Sequence, residues 1–402
     1  MLSYSRISPF SSGDRGSNRF FEVSTAMELV VRKNDLLREL QLFQGIVERK
    51  NTIPILANVL MEAKGDEVRF LATDLEVGLR SKCAASVAKS GSLTLPAKKF
   101  FEIVKSLPET DIRIEEDKGG VKVAADRFDS RMQTLPREDF PTLPESGAPG
   151  TSSPKATLSR TALRDMVAKT QFAITGEDTR YFLNGALFVL KPDVMSLVAT
   201  DGHRLALVSV SRDGGAAAAG ERDEVKAILP KKTLSELTRL LQDGDQDIQY
   251  ERGENHLFFD VGGRLLISRM IDGQFPAYER VIPKGNDKRI EFERDRLTSA
   301  VRRVALLSNE RSRAVKVLIE PGKVDVTSSS PDVGEARETL PVEYSGAPMQ
   351  ICFNAQYVLE FLGAVSTDVV SLELKDEVSQ AVMRPVGAEG YDYTYVIMPM
   401  RV

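Results

Sequence analysis

The sequence contains few of the side chains that most often bind metals or form disulfides. Its 402 residues include two cysteines, Cys83 and Cys352, and two histidines, His203 and His256. These four residues show none of the short spacings that zinc sites use, so we predict no metal site and no cofactor. Each cysteine lies in a strand-like segment of a different repeat, which favours reduced thiols in the core of a cytosolic protein.

The chain also lacks long apolar runs. A membrane-spanning helix needs about 20 predominantly apolar residues, and no run in this sequence approaches that length. We therefore expect a protein that no helix anchors in a membrane, and we expect it in the cytoplasm. A hydrophobic fraction of 42% with 28% charged residues is typical of a soluble globular protein.

One pattern occurs three times along the chain. A helix-opening segment recurs at intervals of roughly 130 residues, the size of whole domains rather than of solenoid units. The leucines that mark it are Leu36, Leu163 and Leu297. A second helix-like segment follows each first one, and it begins near Pro96, Pro230 and Phe353. Three similar domains in one chain favour a pseudo-symmetric assembly over an enzyme with a single site.

The chain length agrees with three domains. We predict domains at 27–153, 154–286 and 287–402, with linkers near 145–154 and 283–287. Residues 1–26 lie outside the repeat, are rich in Ser, Arg and Gly, and are predicted to be a disordered extension or the product of an upstream start codon. A transit peptide is the alternative, against which Asp14, Glu22 and the lack of an amphipathic pattern argue.

Short alternating runs dominate each repeat. Segments such as 111–115, 120–124, 247–251 and 370–375 alternate with period two, as half-buried antiparallel strands do. Polar turns, among them 252–255, join such runs as hairpins. Helices are few and separated by groups of strands, so the predicted fold class is α+β with antiparallel sheets.

A set of short motifs resembles one known family. They are Thr52–Leu56, Thr73–Glu76, Leu95–Phe101, Thr134–Pro136, Asp139–Pro141, Arg180–Gly185, Thr200–Leu205, Asp272–Pro276, Leu307–Glu310 and Val396–Arg401. Together, and in this order, they resemble the bacterial DNA sliding clamp, the beta subunit of DNA polymerase III. Any single motif is weak, whereas the ordered set spans the chain from Met27 to Val402.

The resemblance implies three tandem repeats of the DNA clamp fold in a head-to-tail homodimer. Antiparallel sheets would form the outside of a ring, and two helices per domain would line a hole that encircles double-stranded DNA without reading its sequence. Such a processivity factor has no enzymatic activity. Its implied partners are the replicative polymerase alpha subunit, the clamp loader, and other DNA polymerases and repair proteins that carry short linear motifs.

A net charge of −4 does not suit a protein that grips phosphates by bulk attraction. It suits a ring that encloses DNA, provided that the helices are locally basic. The recurrent basic residues on the predicted helices are Arg32, Lys33, Arg38, Lys98, Lys99, Lys105, Arg160, Arg164, Lys169, Lys231, Lys232, Arg239, Arg302 and Arg303. Any one of them is an ordinary solvated charge, but their recurrence favours a DNA-facing surface.

The resemblance also implies individual DNA contacts. Lys50, Arg180, Tyr181 and Phe182 match positions in two loops that meet the duplex. Glu177 stands where a neutral polar residue would be expected, which departs from the family pattern.

A second implied site is a cleft between the second and third domains that binds partner peptides. Its matching residues are Leu183, Thr200, Gly202, His203, Arg204, Leu205, Pro276, Arg280, Val281, Val378, Val396, Ile397, Met398, Pro399 and Met400. Exposed methionine suits such a cleft because its side chain adapts to varied apolar ligands. Ser312 replaces a larger apolar residue at the rim. The dimer interface is implied at Met132, Leu306 and Leu307, although helical leucines are by default core residues.

Two other function classes fit parts of the sequence. An enzyme on tandem domains would use His203, Asp201 and Arg204 as its site, but these residues occur in only one repeat. A catalytic histidine also needs a poised nucleophile or a metal, and the sequence offers neither. A scaffold that displays only the peptide cleft, without binding nucleic acid, is the second alternative.

Overall fold

A computed structural model of the chain describes residues 26–47, 52–117, 120–147, 155–176, 179–212, 224–242 and 244–401. Within these ranges one element order occurs three times: a strand, a helix, a group of strands, a second helix and a second group of strands. This order confirms the predicted α+β class. No helix among the described residues is long and apolar enough to cross a membrane.

Each repeat contains two α-helices. They are α1 (Lys33–Phe43), α2 (Ala97–Ser106), α3 (Arg160–Thr170), α4 (Lys231–Leu240), α5 (Arg294–Ala305) and α6 (Ala355–Ala364).

The strands are numbered along the chain. The first repeat has β1 (Glu28–Arg32), β2 (Asn58–Lys64), β3 (Glu67–Thr73), β4 (Val77–Ala84), β5 (Ser86–Lys89), β6 (Gly91–Pro96), β7 (Asp111–Asp117), β8 (Gly120–Ala125) and β9 (Phe128–Met132). The second has β10 (Lys155–Leu158), β11 (Gly185–Leu190), β12 (Val194–Thr200), β13 (Arg204–Ser211), β14 (Val225–Pro230), β15 (Ile248–Arg252), β16 (His256–Val261) and β17 (Arg264–Arg269). The third has β18 (Lys288–Glu293), β19 (Ala314–Glu320), β20 (Lys323–Ser330), β21 (Gly334–Pro341), β22 (Met349–Asn354), β23 (Val369–Leu374), β24 (Ala381–Val386) and β25 (Asp392–Ile397).

Local sequence explains where the helices begin. Asn354 accepts a hydrogen bond from the backbone N–H of Gln356 at 2.9 Å, and so caps α6. Pro96 and Pro230 directly precede α2 and α4, where a missing N–H costs nothing. The apolar residues at helical spacing, such as Leu36 and Leu40 of α1, are fully buried against the sheets.

The strands form four sheets, and two of these sheets cross from one repeat into the next. One eight-stranded sheet has the order β10-β15-β16-β17-β4-β3-β2-β6, and the other β14-β11-β12-β13-β25-β24-β23-β18. At the first crossing, Leu266 of β17 lies opposite Leu79 of β4. At the second, Leu205 of β13 lies opposite Val396 of β25. Each repeat therefore gives four strands to each sheet that it shares.

The two remaining sheets end in strands with one open side. Their orders are β5-β1-β7-β8-β9 in the first repeat and β21-β20-β19-β22 in the third. Among the described residues, β9 and β21 each have a hydrogen-bonded neighbour on one side only. The helices follow the same path, since α1 contacts α4 and α3 contacts α6 across the repeat boundaries. Helices α2 and α5 accordingly end the helical layer beside the two open strands.

Ion pairs cross the first boundary as well. Arg264 forms two hydrogen bonds with the buried carboxylate of Glu39, at 2.6 and 3.0 Å. Lys232 of α4 pairs with Asp74 at the end of β3. Bidentate geometry is what makes a partly buried pair favourable despite its desolvation cost. Cys83 and Cys352 are free and buried, as the sequence predicts.

Candidate peptide cleft and interface surfaces

The turn at residues 200–204 is built by its own side chains. The Asp201 Oδ1 atom accepts hydrogen bonds from the backbone N–H groups of His203 at 2.9 Å and Arg204 at 3.0 Å. Gly202 has φ +87°, a left-handed conformation that favours glycine. The Thr200 hydroxyl donates to the carbonyl of Arg204 at 2.6 Å. The carboxylate of Asp201 is thus used to hold the turn.

Arg204 connects this turn to the third repeat. Its side chain is 7% exposed, and its Nε donates to Asp201 Oδ2 at 3.0 Å. One terminal nitrogen pairs with Glu360 of α6, and the other donates to the carbonyl of Phe172 at 2.5 Å. The guanidinium also lies 4.2 Å from the ring centre of Tyr357. Burial alone would lower the pKa of Arg204, but Tyr395 and Glu360 raise it above its usual value.

The side chain of Arg204, a predicted cleft residue, is therefore buried between the two repeats. Its charge is enclosed between Phe172 and Tyr357 and satisfied by carboxylates from two repeats. Sequence reasoning missed this network because Glu360 is 156 residues away and nothing local marks the pair. Arg204 supports the cleft by positioning the turn and α6.

An apolar cluster forms the floor of the cleft. Leu183, Leu205 and Val396 are at most 2% exposed and pack together in it. The other buried members are Leu187, Val189, Val198, Ile228, Phe275 and Val382. These side chains come from both repeats, because β13 and β25 are neighbours in one sheet. The floor is therefore a product of the second sheet crossing.

Three of the predicted cleft residues are exposed and apolar, and we assign them to its rim. Val378 is 66% exposed, Val281 38% and Met398 37%. Met398 is held beside the turn because its backbone N–H donates to the carbonyl of His203 at 2.9 Å. The remaining predicted cleft residues divide between exposed Pro276, Arg280 and His203 and half-buried Thr200, Pro399 and Met400. Gly202 is exposed, and Ile397 is fully buried in β25.

A cavity of about 480 Å³ adjoins this surface below the linker that carries Pro276. Leu187, Ile228 and Phe275 line it and also belong to the apolar cluster. Tyr278 closes it from the linker side, and burial, followed by Glu279, raises the pKa of Tyr278 to about 12. Lys226, Arg252 and Glu254 also line the cavity, so one side of it is apolar and the other is charged.

The predicted DNA-contacting loop lies against the same turn. Tyr181 is 56% exposed, and its ring packs edge-on against that of Phe182, 5.8 Å between centroids. Arg180 donates to the carbonyl of Asp201 at 3.5 Å, and its guanidinium lies beside Gly202. Lys50 and Glu177 lie outside the described residues. The loop and the cleft therefore share one wall.

The predicted basic surface of the helices is wrong at two positions. Arg160 is 5% exposed, and its Nη2 atom donates to the carbonyl of Leu240 at 2.7 Å. Lys169 is 8% exposed and lies 4.6 Å from the ring centre of Tyr391, and burial lowers its pKa. Arg160 thus packs within the second repeat, whereas Lys169 packs against the third repeat. Arg32, Lys105 and Arg302 are exposed on their helices or next to them.

The residues of the implied dimer interface lie at the two open ends. Met132 of β9 is 8% exposed and belongs to the core of the first repeat. Leu306, just after α5, is 77% exposed, and Leu307 is half-buried. A leucine so exposed at the end of an amphipathic helix is not a core residue, which favours an interface.

The enzyme alternative used Asp201, His203 and Arg204. Asp201 is occupied by the turn and by Arg204, whereas His203 is exposed. Burial raises the pKa of the Cys83 thiol to about 12 and also raises that of Cys352. The described part of the chain contains no group of three or more metal-binding side chains.

Three domain families match the chain in order. They are the N-terminal domain of the DNA polymerase III beta subunit at residues 27–144, its central domain at 157–277 and its C-terminal domain at 279–401. The beta sliding clamp of Pseudomonas putida is 38% identical over 380 residues, which cover 94% of this chain and 100% of that protein. The beta sliding clamp of Escherichia coli K12 is 35% identical over 378 residues, with the same coverage.

Solved structures give the same result. The crystal structure of the DNA polymerase sliding clamp from Pseudomonas aeruginosa has a TM-score of 0.85 at 35% identity, covering 94% of this chain and 100% of that one. The beta subunit from Pseudomonas aeruginosa bound to griselimycin has a TM-score of 0.86 at 36% identity, with the same coverage.

Arg204→Ala tests the role of the buried arginine. We expect the free energy of unfolding to fall by about 2–4 kcal/mol, because two partly buried carboxylates, those of Asp201 and Glu360, lose their partner. Hydrogen–deuterium exchange should become faster in the 200–204 turn and in α6 but not in α2. Arg204→Lys should recover only part of the protection, because an ammonium cannot reproduce the guanidinium fork. Arg289→Ala, which breaks an exposed pair with Glu291, is the matched control. Unchanged exchange in Arg204→Ala would show that the network is dispensable.

Proposed function

The chain belongs to the family of bacterial beta sliding clamps, the beta subunits of DNA polymerase III, and we propose that two copies close head to tail around duplex DNA. It is a DNA polymerase processivity factor. Similarity to complete clamps over all three domains carries this conclusion. The geometry of the two open ends supports the manner of closure.

Closure follows from how the repeats already join. Both internal boundaries are formed by an edge strand that continues the sheet of the next repeat. One copy leaves β9 open at one end and β21 at the other. Two copies arranged head to tail pair each β9 with a β21, so the same kind of junction recurs around the ring. Met132, Leu306 and Leu307 lie at this seam.

The DNA is held by enclosure rather than by tight contact. The net charge is −4, and many helical cations are already paired, such as Arg303 with Glu338 and Lys99 with Glu102. The exposed cations that remain along the helical layer are enough to centre a duplex. Lys50, Arg180, Tyr181 and Phe182 contact its backbone without reading its sequence.

The cleft between the second and third domains tethers the partners. An apolar floor with an adaptable methionine at its rim suits short motifs that end in apolar side chains. The replicative polymerase alpha subunit, the clamp loader, and other polymerases and repair proteins are the proposed ligands. Membership in the family implies a non-catalytic accessory subunit, and we propose that the chain has no enzymatic activity of its own. A replication clamp of this kind acts in the bacterial cytoplasm.

We retain the domain boundaries at 27–153, 154–286 and 287–402. The match to the C-terminal domain begins at residue 279 and so includes residues 279–286, which these boundaries assign to the second domain. Ile282 packs against the apolar cluster that both repeats share. Seven of the nine buried members of that cluster belong to the second repeat, which is the reason to assign the linker to the second domain.

Leu306→Lys tests the seam. Exposed apolar anchors at the centre of an interface carry much of its energy, so this variant should be a soluble monomer in multi-angle light scattering. Leu75→Lys, another exposed leucine at 48% exposure, should keep the dimer mass. A dimeric Leu306→Lys protein would place the seam elsewhere.

Val378→Asp tests the cleft without disturbing the core. We expect at least tenfold weaker binding of a labelled peptide from the polymerase alpha subunit in fluorescence anisotropy, because a carboxylate at an apolar rim must be desolvated. Leu75→Asp, at another exposed apolar side chain in a turn of the first repeat, is the control. Deletion of residues 398–402 should also abolish binding. A deletion from Val396 would instead remove two buried strand residues. Normal binding by Val378→Asp would exclude this cleft.

Retention on circular DNA tests enclosure. Once a loader has closed the ring on nicked plasmid, we expect retention at high salt and release when the plasmid is cut. A surface that binds phosphates openly would lose roughly a thousandfold in affinity over a modest rise in salt. Gel filtration before and after linearisation measures the outcome. Loss from the intact circle at moderate salt, or retention on the linear form, would exclude enclosure.

A further inference from the structure

The open strands β9 and β21 carry a charge pattern that the ring alone does not explain. On β9, Asp129 and Arg131 are more than half exposed, at 59% and 54%. On β21, Arg337 is 61% exposed and Glu335 is exposed as well. Both strands therefore present one acid and one base on the same face, two residues apart. The inference drawn from this pattern rests on the proposed head-to-tail ring.

The internal boundary between the first two repeats gives a template for how such strands pair. Strand β17 lies against β4 with Ser268 opposite Val77, Ile267 opposite Gly78 and Leu265 opposite Arg80. The pairing is antiparallel. If the seam between two copies repeats this arrangement, the register at the seam follows from the equivalence of β17 with β9 and of β4 with β21.

That equivalence is visible in the hairpins that lead into the two strands. Val261 lies opposite Arg264 at the turn between β16 and β17, and Ala125 lies opposite Phe128 at the turn between β8 and β9. Ser268 and Met132 each follow four residues after these first strand residues. Ser268 and Met132 are both buried. Met132 of β9 thus corresponds to Ser268 of β17.

The other side of the seam is fixed by the hairpins that precede it. Lys64 lies opposite Glu67 at the turn between β2 and β3, and Glu320 opposite Lys323 at the turn between β19 and β20, so Thr73 corresponds to Ser329. Thr73 lies opposite Gly78 and Ser329 opposite Glu335, so Gly78 corresponds to Glu335 and Val77 to Gly334. Met132 of one copy then lies opposite Gly334 of the other.

We propose that the two copies pair in this single register, in which Arg131 lies opposite Glu335 and Asp129 opposite Arg337. The partner is a second copy of this chain, and each seam contains two cross-strand ion pairs on the outer face. The first internal boundary has Arg80 opposite Leu265 at the position of the second pair. The charge complementarity is therefore particular to the open ends.

The pairs extend networks that exist within each copy. Asp129 is 3.0 Å from Lys122 on β8, and Arg337 pairs with the buried carboxylate of Asp325 on β20. Joining the strands produces an alternating row, Lys122, Asp129, Arg337 and Asp325, across four strands of two copies. An exposed ion pair is weak in isolation, but it contributes more within such a network.

The same charges oppose the neighbouring registers. A shift by two residues in one direction puts Arg131 opposite Arg337, and a shift in the other puts Asp129 opposite Glu335. Like charges directly opposite each other destabilise an antiparallel pair. A shift by one residue would put Met132, which faces the core, opposite Glu335, which faces outward, although directly opposed residues of a sheet must point to the same face. The pattern on β9 and β21 thus permits one alignment and opposes the others.

Complementation between two variants tests the register. In a ring of Asp129→Arg copies, both seams put two arginines opposite each other, and in a ring of Arg337→Asp copies, both put two aspartates there. For each variant alone we expect a dimer dissociation constant raised roughly tenfold or more, measured by sedimentation at low salt. The increase should shrink as added salt screens the charges.

An equimolar mixture of the two variants should recover nearly native affinity. In a mixed ring, one seam pairs the substituted arginine with the substituted aspartate, and the other is the native pair. Arg289→Asp, which reverses an exposed charge on strand β18, is the control and should dimerise normally. The double variant Asp129→Arg with Arg337→Asp should also dimerise, because its charges are exchanged at both seams.

The outcomes separate the register from the ring. A native chain that is monomeric would overturn the proposed ring itself. A native dimer whose single variants are unaffected, or whose weakened variants fail to rescue each other, would overturn the register and leave the ring standing. Rescue in the mixture together with a normal control would establish both the pairing and its head-to-tail direction.

Discussion

The structure depends on one constraint: an edge strand of a sheet needs a partner for its backbone N–H and C=O groups. Neighbouring repeats meet this need by pairing their edge strands with each other, β4 with β17 and β13 with β25. The boundary between repeats is consequently a continuous sheet rather than a flexible joint. The helices follow the same order, so a single arrangement of layers runs from β9 to β21.

Much of this architecture could be predicted from residues that are close in the sequence. Alternation in runs such as 111–115 predicted strand β7. A leucine at equivalent positions of three helices predicted the threefold repeat of the domain. The sheet crossings could not be predicted in this way, because Leu79 and Leu266 are far apart in sequence and nothing in either strand names its neighbour. Periodicity reports which face of a strand is buried, but it does not report what lies beside its edge.

The residues of the candidate site could likewise be predicted only in part from the sequence. The resemblance implied both Val378 and Met398 as cleft residues, and both are exposed apolar side chains. Arg204 was assigned to the cleft wall, whereas its guanidinium is buried between two repeats. Arg160 and Lys169 were assigned to the helical surface because basic residues recur on the equivalent helices, yet both are buried. A long cationic side chain can pack along its own repeat, as Arg160 does, or against the next one, as Lys169 does, and residue type alone does not reveal this.

The crossing between β13 and β25 has a consequence for biosynthesis. More than a complete repeat of chain is made after β13 before β25 exists to pair with it. During that interval the nascent second repeat presents an unpaired edge, which is the kind of surface that recruits wrong strands. The buried Arg204 likewise has no Glu360 to pair with until α6 has been made. The newly synthesised second repeat therefore lacks both the strand that completes its apolar cluster and the carboxylate partner of its buried arginine. Folding of the second repeat is therefore complete only after the third repeat has been made. Until then, a chaperone that binds nascent chains would protect the unpaired edge of β13.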